Sequence, residues 1–174
     1  RAQRRTIRIW SAACSTGQEP YSLAMILCEE AAKLAGWRVE ILATDLSAEV
    51  LEKAKVGLYS QFEVQRGLPI KLLMKFFNQT NEMWQIDAAI RAMVKFRVLN
   101  LLEDLSLLGQ FDVIFCRNVL IYFDQDTKRA VLERIGRLMP PDGVLYLGGA
   151  ETVLGICDNF KPLPGQRGVY GMAA

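Results

Sequence analysis

Two apolar runs near the start of the chain, Ile7 to Ala13 (IRIWSAA) and Val39 to Thr44 (VEILAT), are separated by a stretch of helical periodicity. That succession constrains the fold more than any other feature of the sequence. Each run reads as a buried strand. Between them Ser15-Thr16-Gly17 makes a turn, and Glu19-Pro20 opens a helix: proline is tolerated in a first turn, and the acidic neighbour complements the helix dipole. Leu23, Ile26, Leu27, Ala31 and Leu34 then recur at helical spacing until Gly36 supplies the stop. The second strand ends at Asp45, and Ser47 caps another helix carrying Val50, Leu51 and Ala54. Strand, helix, strand, helix is the opening of a doubly wound, mostly parallel α/β domain.

The middle of the chain is less regular. Gly57-Leu58-Tyr59 and Arg66-Gly67-Leu68-Pro69 read as turns, followed by a short amphipathic helix from Ile70 to Phe77. Residues 78–97 carry strand-like pieces around Trp84-Ile86 and Val94-Arg97 and are expected to form a small antiparallel insertion. Regularity returns with Phe111 to Cys116 (FDVIFC), an apolar strand of the kind buried on both faces. Asp126 to Leu138 follows as a helix ended by Pro140-Pro141, and Asp142-Gly143 turns the chain into a strand from Val144 to Leu147. Phe160, Leu163, Val169 and Tyr170 are placed to form a closing hairpin around Pro164-Gly165.

Composition serves mainly to exclude. With 174 residues, 51% of them apolar, the chain is long enough for one domain with a proper core. A net charge of +2 gives no argument for nucleic acid. Arg1, Arg4, Arg5 and Arg8 crowd the first eight residues and read as a solvated linker, so residues 1–8 are assigned as linker and 9–174 as the domain. There is no histidine, which removes Ser-His-Asp and Cys-His catalysis and the usual histidine-containing zinc sites; no metal is expected. The four cysteines lack any C-x-x-C spacing, and Cys28 and Cys116 sit in apolar runs, as in a protein of the reducing cytoplasm. No apolar stretch reaches the length of a membrane span.

Ligands of open α/β sheets bind at strand C-termini, and four places qualify. Ala12 to Glu19, with Ala13 inside it, pairs a turn of small residues with a helix N-terminus that offers free N–H groups. It holds one glycine, Gly17, instead of G-x-G-x-x-G, so a carboxylate suits it better than a pyrophosphate; a plain strand-to-helix turn fits equally. Asp45 can accept two hydrogen bonds from a vicinal diol, as in a ribose, or can simply cap the next helix. Asn100-Leu101 offers an amide beside an apolar side chain, suited to an adenine edge or to a strand-end turn. Arg117-Asn118 interrupts an apolar run that continues to Phe123; read as a buried polar pair, it is costly unless satisfied and therefore points to function. Together the four favour a ligand that carries adenosine.

Trp10 to Met25 (WSAACSTGQEPYSLAM), Ala43 to Ser47 (ATDLS) and Phe111 to Asp124 (FDVIFCRNVLIYFD) resemble the CheR-type chemotaxis receptor methyltransferases. The resemblance extends through Arg66 to Pro69, Asn100 to Leu102 and Leu138 to Glu151, nearly the whole chain. It implies a class I methyltransferase fold with a seven-stranded sheet and an inserted β-subdomain. It also implies methyl transfer from S-adenosylmethionine to glutamates in the cytoplasmic signalling helices of chemoreceptors, with S-adenosylhomocysteine as product. By motif, Glu19 would hold the polar tail of the cofactor and Asp45 the ribose hydroxyls, with Ala13 in the turn alongside. Asn100 and Leu101 would frame the adenine, Arg117 and Asn118 would lie along the cofactor, and Tyr122 would stand near the sulfonium as a positioner. A glutamate nucleophile is already ionised at neutral pH, so the lack of histidine costs this chemistry nothing.

The resemblance also marks departures. The family carries an N-terminal helical domain ending in a Thr-x-Phe-Phe-Arg-like motif, whereas this chain opens on Arg1-Ala2-Gln3. A fragment or processed form is therefore expected, one that binds the cofactor weakly or leaves it uncovered. Gln18 stands where the family often has Glu, and Ala150 where Ser is common before Glu151. Members that dock a receptor's C-terminal pentapeptide have a glycine-containing loop in the β-subdomain, and Asn78 to Trp84 is short and holds no glycine, which predicts an enzyme independent of that tether; a monomer is expected. Two rivals stand beside this reading. A nucleotide-dependent oxidoreductase is opposed by the missing glycine-rich fingerprint, and a catalytically idle adaptor that binds S-adenosylmethionine is opposed by the intact strand-end residues.

Overall fold

A computed structural model describes residues 3–173. Seven strands form the main sheet, in the order β6-β2-β1-β7-β8-β10-β9. β1 (Thr6–Ser11) lies parallel to both β2 (Arg38–Asp45) and β7 (Val113–Cys116). Parallel pairing continues outward to β6 (Val94–Val98) on one side and β8 (Val144–Leu147) on the other. β9 (Phe160–Pro162) and β10 (Val169–Met172) close the β8 edge as the antiparallel hairpin expected around Pro164-Gly165. The chain runs outward from β1 to β2 and β6, then returns to the opposite side of β1 at β7, so strand order reverses between β1 and β7. That reversal opens the crevice in which such sheets bind ligands.

Helices cover both faces. α1 (Gln18–Glu29) buries Pro20, Tyr21, Ala24 and Met25; it ends before Ala31 and Leu34, which lie in turns leading to Gly36. α2 (Ala48–Val56) starts at Ser47, whose hydroxyl accepts the Val50 N–H as the sequence led us to expect. On the other side, α6 (Gln125–Arg137) buries Val131, Leu132, Ile135 and Gly136, is capped by Asp124 and ends near Pro140. Two apolar clusters result, one around Trp10, Phe111, Ile114 and Leu132, the other around Tyr21, Met25, Ile41 and Ile86. Trp10 is fully buried, and its indole N–H donates to Thr44 Oγ1, whose hydroxyl donates to the Ala12 carbonyl. This chain of bonds ties the ends of β1 and β2 together, where the site lies.

Three readings of the sequence need correction. The inserted sheet is built from β3 (Leu58–Ser60), β4 (Phe77–Thr80) and β5 (Met83–Ile86), in the order β3-β5-β4. Leu58 and Tyr59 are thus strand, not turn, and Val94 to Arg97 belongs to the main sheet, not to the insertion. The helices α3 (Gln61–Gln65) and α4 (Ile70–Phe76) connect β3 to β4, and α5 (Ala88–Arg91) leads into β6. Nor do residues 1–8 form a linker throughout. Arg1 and Ala2 lie outside the described residues, but β1 begins at Thr6 and Arg8 is half-buried in it. The Arg8 guanidinium pairs with Glu40 at 3.1 Å, donates to the Leu108 and Gln110 carbonyls, and stacks 4.4 Å above the Phe111 ring. These bonds repay the partial loss of water around it, which a solvated linker never suffers.

Candidate cofactor site

After β1 the chain runs along the ends of its neighbours: the Ala12 N–H donates to the Phe115 carbonyl and the Cys14 N–H to that of Thr44. Gly17 caps α1 with a φ of +95°, and a Cβ there would lie 3.0 Å from the Ala54 Cβ and 3.2 Å from the Tyr59 hydroxyl. Both the left-handed backbone and the space therefore call for glycine. Tyr59, reaching in from the inserted sheet, donates to the Thr16 carbonyl at 2.7 Å and braces the loop. Ala13 is half-buried in this loop and Ser15 is exposed. Burial, reinforced by the nearby charge of Asp45, pushes the Cys14 thiol up to about 12, so this buried cysteine stays neutral and adds no anion to the site.

Two carboxylates stand beside this loop, Asp45 at the end of β2 and Glu19 in the first turn of α1. Asp45, at the end of β2, accepts the Ser15 N–H on one oxygen (2.9 Å) and the Ser47 N–H on the other (3.0 Å). An ionised carboxylate offers roughly four acceptor positions, so Asp45 keeps capacity for a diol after bonding both amides. It is therefore part of the turn and available to a ligand at once, while the capping of α2 falls to Ser47. Glu19, in the first turn of α1, accepts the Ser11 hydroxyl at 2.7 Å and pairs with Arg117 at 3.3 Å. Burial raises the affinity of the Glu19 carboxyl for its proton, and the Ser11 and Arg117 contacts work against that rise.

β7 ends at Cys116, a buried thiol whose acidity burial suppresses strongly. Arg117 and Asn118 follow, and both are exposed, which corrects the reading of a buried polar pair. Asn118 takes a left-handed φ of +56° and turns the chain off the end of the strand. This frees Arg117 to reach across to Glu19. Beyond the turn, Leu120 is buried, and Tyr122, at the end of a 3-10 turn (Leu120–Tyr122), is 78% exposed. At the end of β6, the Leu99 N–H donates to the Asp45 carbonyl, and Asn100 accepts the Leu102 N–H on its side-chain oxygen at 3.0 Å. Asn100 is half-buried, whereas Leu101 is 6% exposed and packs in the core, so of this pair Asn100 is the member open to a ligand.

Sequence reasoning missed Glu151. This buried carboxylate sits just past β8 and accepts backbone N–H groups from Asn118 (2.8 Å), Val119 (3.0 Å), Leu120 (2.8 Å) and Gly148 (2.7 Å). The signal available was Gly148-Gly149-Ala150-Glu151, an acid set off by small residues after an apolar strand, as Asp45 follows its own strand. An apolar groove of about 440 Å³ lies beside α1, between Met25, Val64, Leu68 and Phe77, and Gln18 and Tyr59, beside the loop after β1, also line it. Asp45, Glu19, Asn100 and Arg117 do not line that groove.

Comparison with known proteins shows the family and the fold. Residues 1–169 match the family described as CheR methyltransferase, SAM binding domain. The chain is 44% identical over 167 residues to chemotaxis protein methyltransferase 1 of Pseudomonas aeruginosa, covering 94% of this chain and 61% of that protein. It is 42% identical over 170 residues to the chemotaxis protein methyltransferase of Escherichia coli, covering 95% and 58% respectively. The chain thus spans about three fifths of the length of these relatives. Among solved structures it resembles a TehB-like SAM-dependent methyltransferase from Corynebacterium glutamicum at a TM-score of 0.56 and 17% identity, over 96% of this chain and 80% of that one, a likeness of fold. The fold is that of the S-adenosylmethionine-dependent methyltransferases, and the chain belongs to the CheR methyltransferase family, of which it is the S-adenosylmethionine-binding domain.

Proposed function

We propose that this chain binds S-adenosylmethionine and transfers its methyl group to glutamate side chains on the cytoplasmic signalling helices of chemoreceptors, giving γ-glutamyl methyl esters for chemotactic adaptation. The observation that carries the reading is Asp45, a carboxylate with acceptor capacity to spare at the C-terminal end of β2, the neighbour of the strand β1 beside which strand order reverses. Asp45 holds the ribose hydroxyls. Glu19 and Arg117, already paired, offer opposite charges to the amino and carboxylate groups of the cofactor's tail. Ala13 lines the turn, Asn100 reads the adenine edge with Leu101 packed beneath, and Asn118 lies alongside. The bound cofactor supplies an electrophilic methyl group on a sulfonium sulfur.

The acceptor glutamate is ionised at neutral pH and needs no base to remove a proton. The chain's contribution is alignment, and Tyr122 positions the incoming carboxylate without acting as acid or base. The β4–β5 hairpin turns on Asn81-Glu82 without glycine, which supports an enzyme independent of the pentapeptide tether; measurable binding of a receptor's C-terminal pentapeptide would refute that part. The enzyme is read as a cytoplasmic monomer, and no described helix is long and apolar enough to cross a membrane. The test is incubation with methyl-labelled S-adenosylmethionine and a chemoreceptor cytoplasmic fragment. Label that mild base releases as methanol is the expected result. Base-stable label would point to another acceptor, and cofactor binding without transfer would favour the adaptor.

A further inference from the structure

Glu151 is fully engaged by the backbone. Its four N–H partners fill the roughly four acceptor positions of a carboxylate, leaving none for a ligand. Three of the four come from consecutive residues, Asn118 to Leu120, which begin with the left-handed Asn118. Asparagine enters this conformation more readily than other non-glycine residues, and the Glu151 bonds hold it there. Gly148 completes the joint: a Cβ there would lie 2.4 Å from Asn118 Oδ1 and 2.7 Å from Glu151 Oε2. The ends of β7 and β8 are thereby clamped to each other through one side chain. The clamped turn leads directly into Leu120–Tyr122, with Leu120 buried and Tyr122 standing out from the surface.

We infer that Glu151 is a positioning residue for methyl transfer, fixing the Asn118–Tyr122 turn against the cofactor through its four backbone bonds. The inference rests on the function proposed above. Glu19 and Asp45 make none of these bonds and keep their hold on the cofactor, so loss of the clamp lowers turnover more than it lowers cofactor affinity.

The experiment compares Glu151→Gln with wild type. A glutamine presents an NH2 group to N–H donors and cannot satisfy all four. We expect faster amide exchange confined to Asn118, Val119, Leu120 and Gly148, with kcat reduced about a hundredfold by misplacement of Tyr122. Affinity for S-adenosylhomocysteine should fall by about tenfold at most, through the displaced Asn118, and so by less than kcat, because most of the effect is on the transfer step. Should Glu151→Gln not fold, Gly148→Ala carries the same test by pushing against Asn118 and Glu151. A folded variant with unchanged kcat, or affinity and kcat falling in parallel, would overturn the inference. Loss of the fold in both variants would overturn it too, by assigning Glu151 to stability alone. If the wild type transfers no methyl group, the proposed function fails instead, and confinement of the exchange to those four amides decides for or against the clamp.

Discussion

Asp45 and Glu151 are both acids at the C-terminal edge of the same sheet, yet they occupy opposite states. Asp45 bonds two backbone amides and keeps room for more; Glu151 bonds four and is closed. The first stands over a loop whose Ser15 is exposed, the second under a turn whose Leu120 is buried. Location at a strand end therefore does not by itself make a carboxylate a ligand group. What decides is how much of its hydrogen-bonding capacity the fold has already used.

The largest effect that follows is on stability. Replacing Glu151 by alanine leaves several enclosed N–H groups unpaired and should lower the unfolding free energy by about 4 kcal/mol, read from urea denaturation. A loss below about 1 kcal/mol would mean that the turn finds other partners and would erase the contrast with Asp45. Next comes Gly17→Ala, which forces a side chain into a left-handed position already crowded by Ala54 and Tyr59. It should cost about 2 kcal/mol and weaken cofactor binding through the displaced loop.

A smaller, pH-dependent effect belongs to Glu19. Its affinity for a proton is raised on folding, chiefly by burial, so the folded state holds that proton more tightly than the unfolded chain does. The associated stability is present in full below the ordinary carboxylate range and is lost as pH rises through the raised folded value. Glu19→Gln should therefore raise the melting temperature of the ligand-free protein at pH 7 and not at pH 3, while weakening cofactor binding. A stabilisation that persists at pH 3 would exclude ionisation as its cause. Smallest in stability is Tyr122→Phe: with the ring so exposed, unfolding free energy should move by less than about 0.5 kcal/mol. Its kcat should fall about tenfold as the acceptor loses its guide, with no new pH dependence, since no proton transfer is assigned to it.

Much of the site was legible because the pattern that marks a strand also marks its end. Asp45 closes VEILATD and Glu19 opens the helix after IRIWSAA, so both could be placed before any coordinates. The inserted sheet was harder. Leu58–Ser60 is three residues long and pairs with Met83–Ile86, across two helices, and no local pattern carries that pairing. Val94–Val98 reads as a strand from its alternation, but alternation does not say which sheet a strand joins. Arg117 and Asn118 were read as buried because their neighbours are apolar; the left-handed Asn118 turns them outward, and nothing in composition announces it. Glu151 escaped because three of its four partners lie some thirty residues earlier and all four are backbone amides, which every sequence possesses.

The most direct test is calorimetric titration of this chain with S-adenosylhomocysteine, in parallel with Asp45→Ala. Removing two charge-assisted hydrogen bonds should weaken binding by about 3 kcal/mol, roughly a hundredfold, while the variant remains folded. Equal binding by wild type and a folded Asp45→Ala would contradict the assignment of the spare acceptor positions on Asp45 to the cofactor.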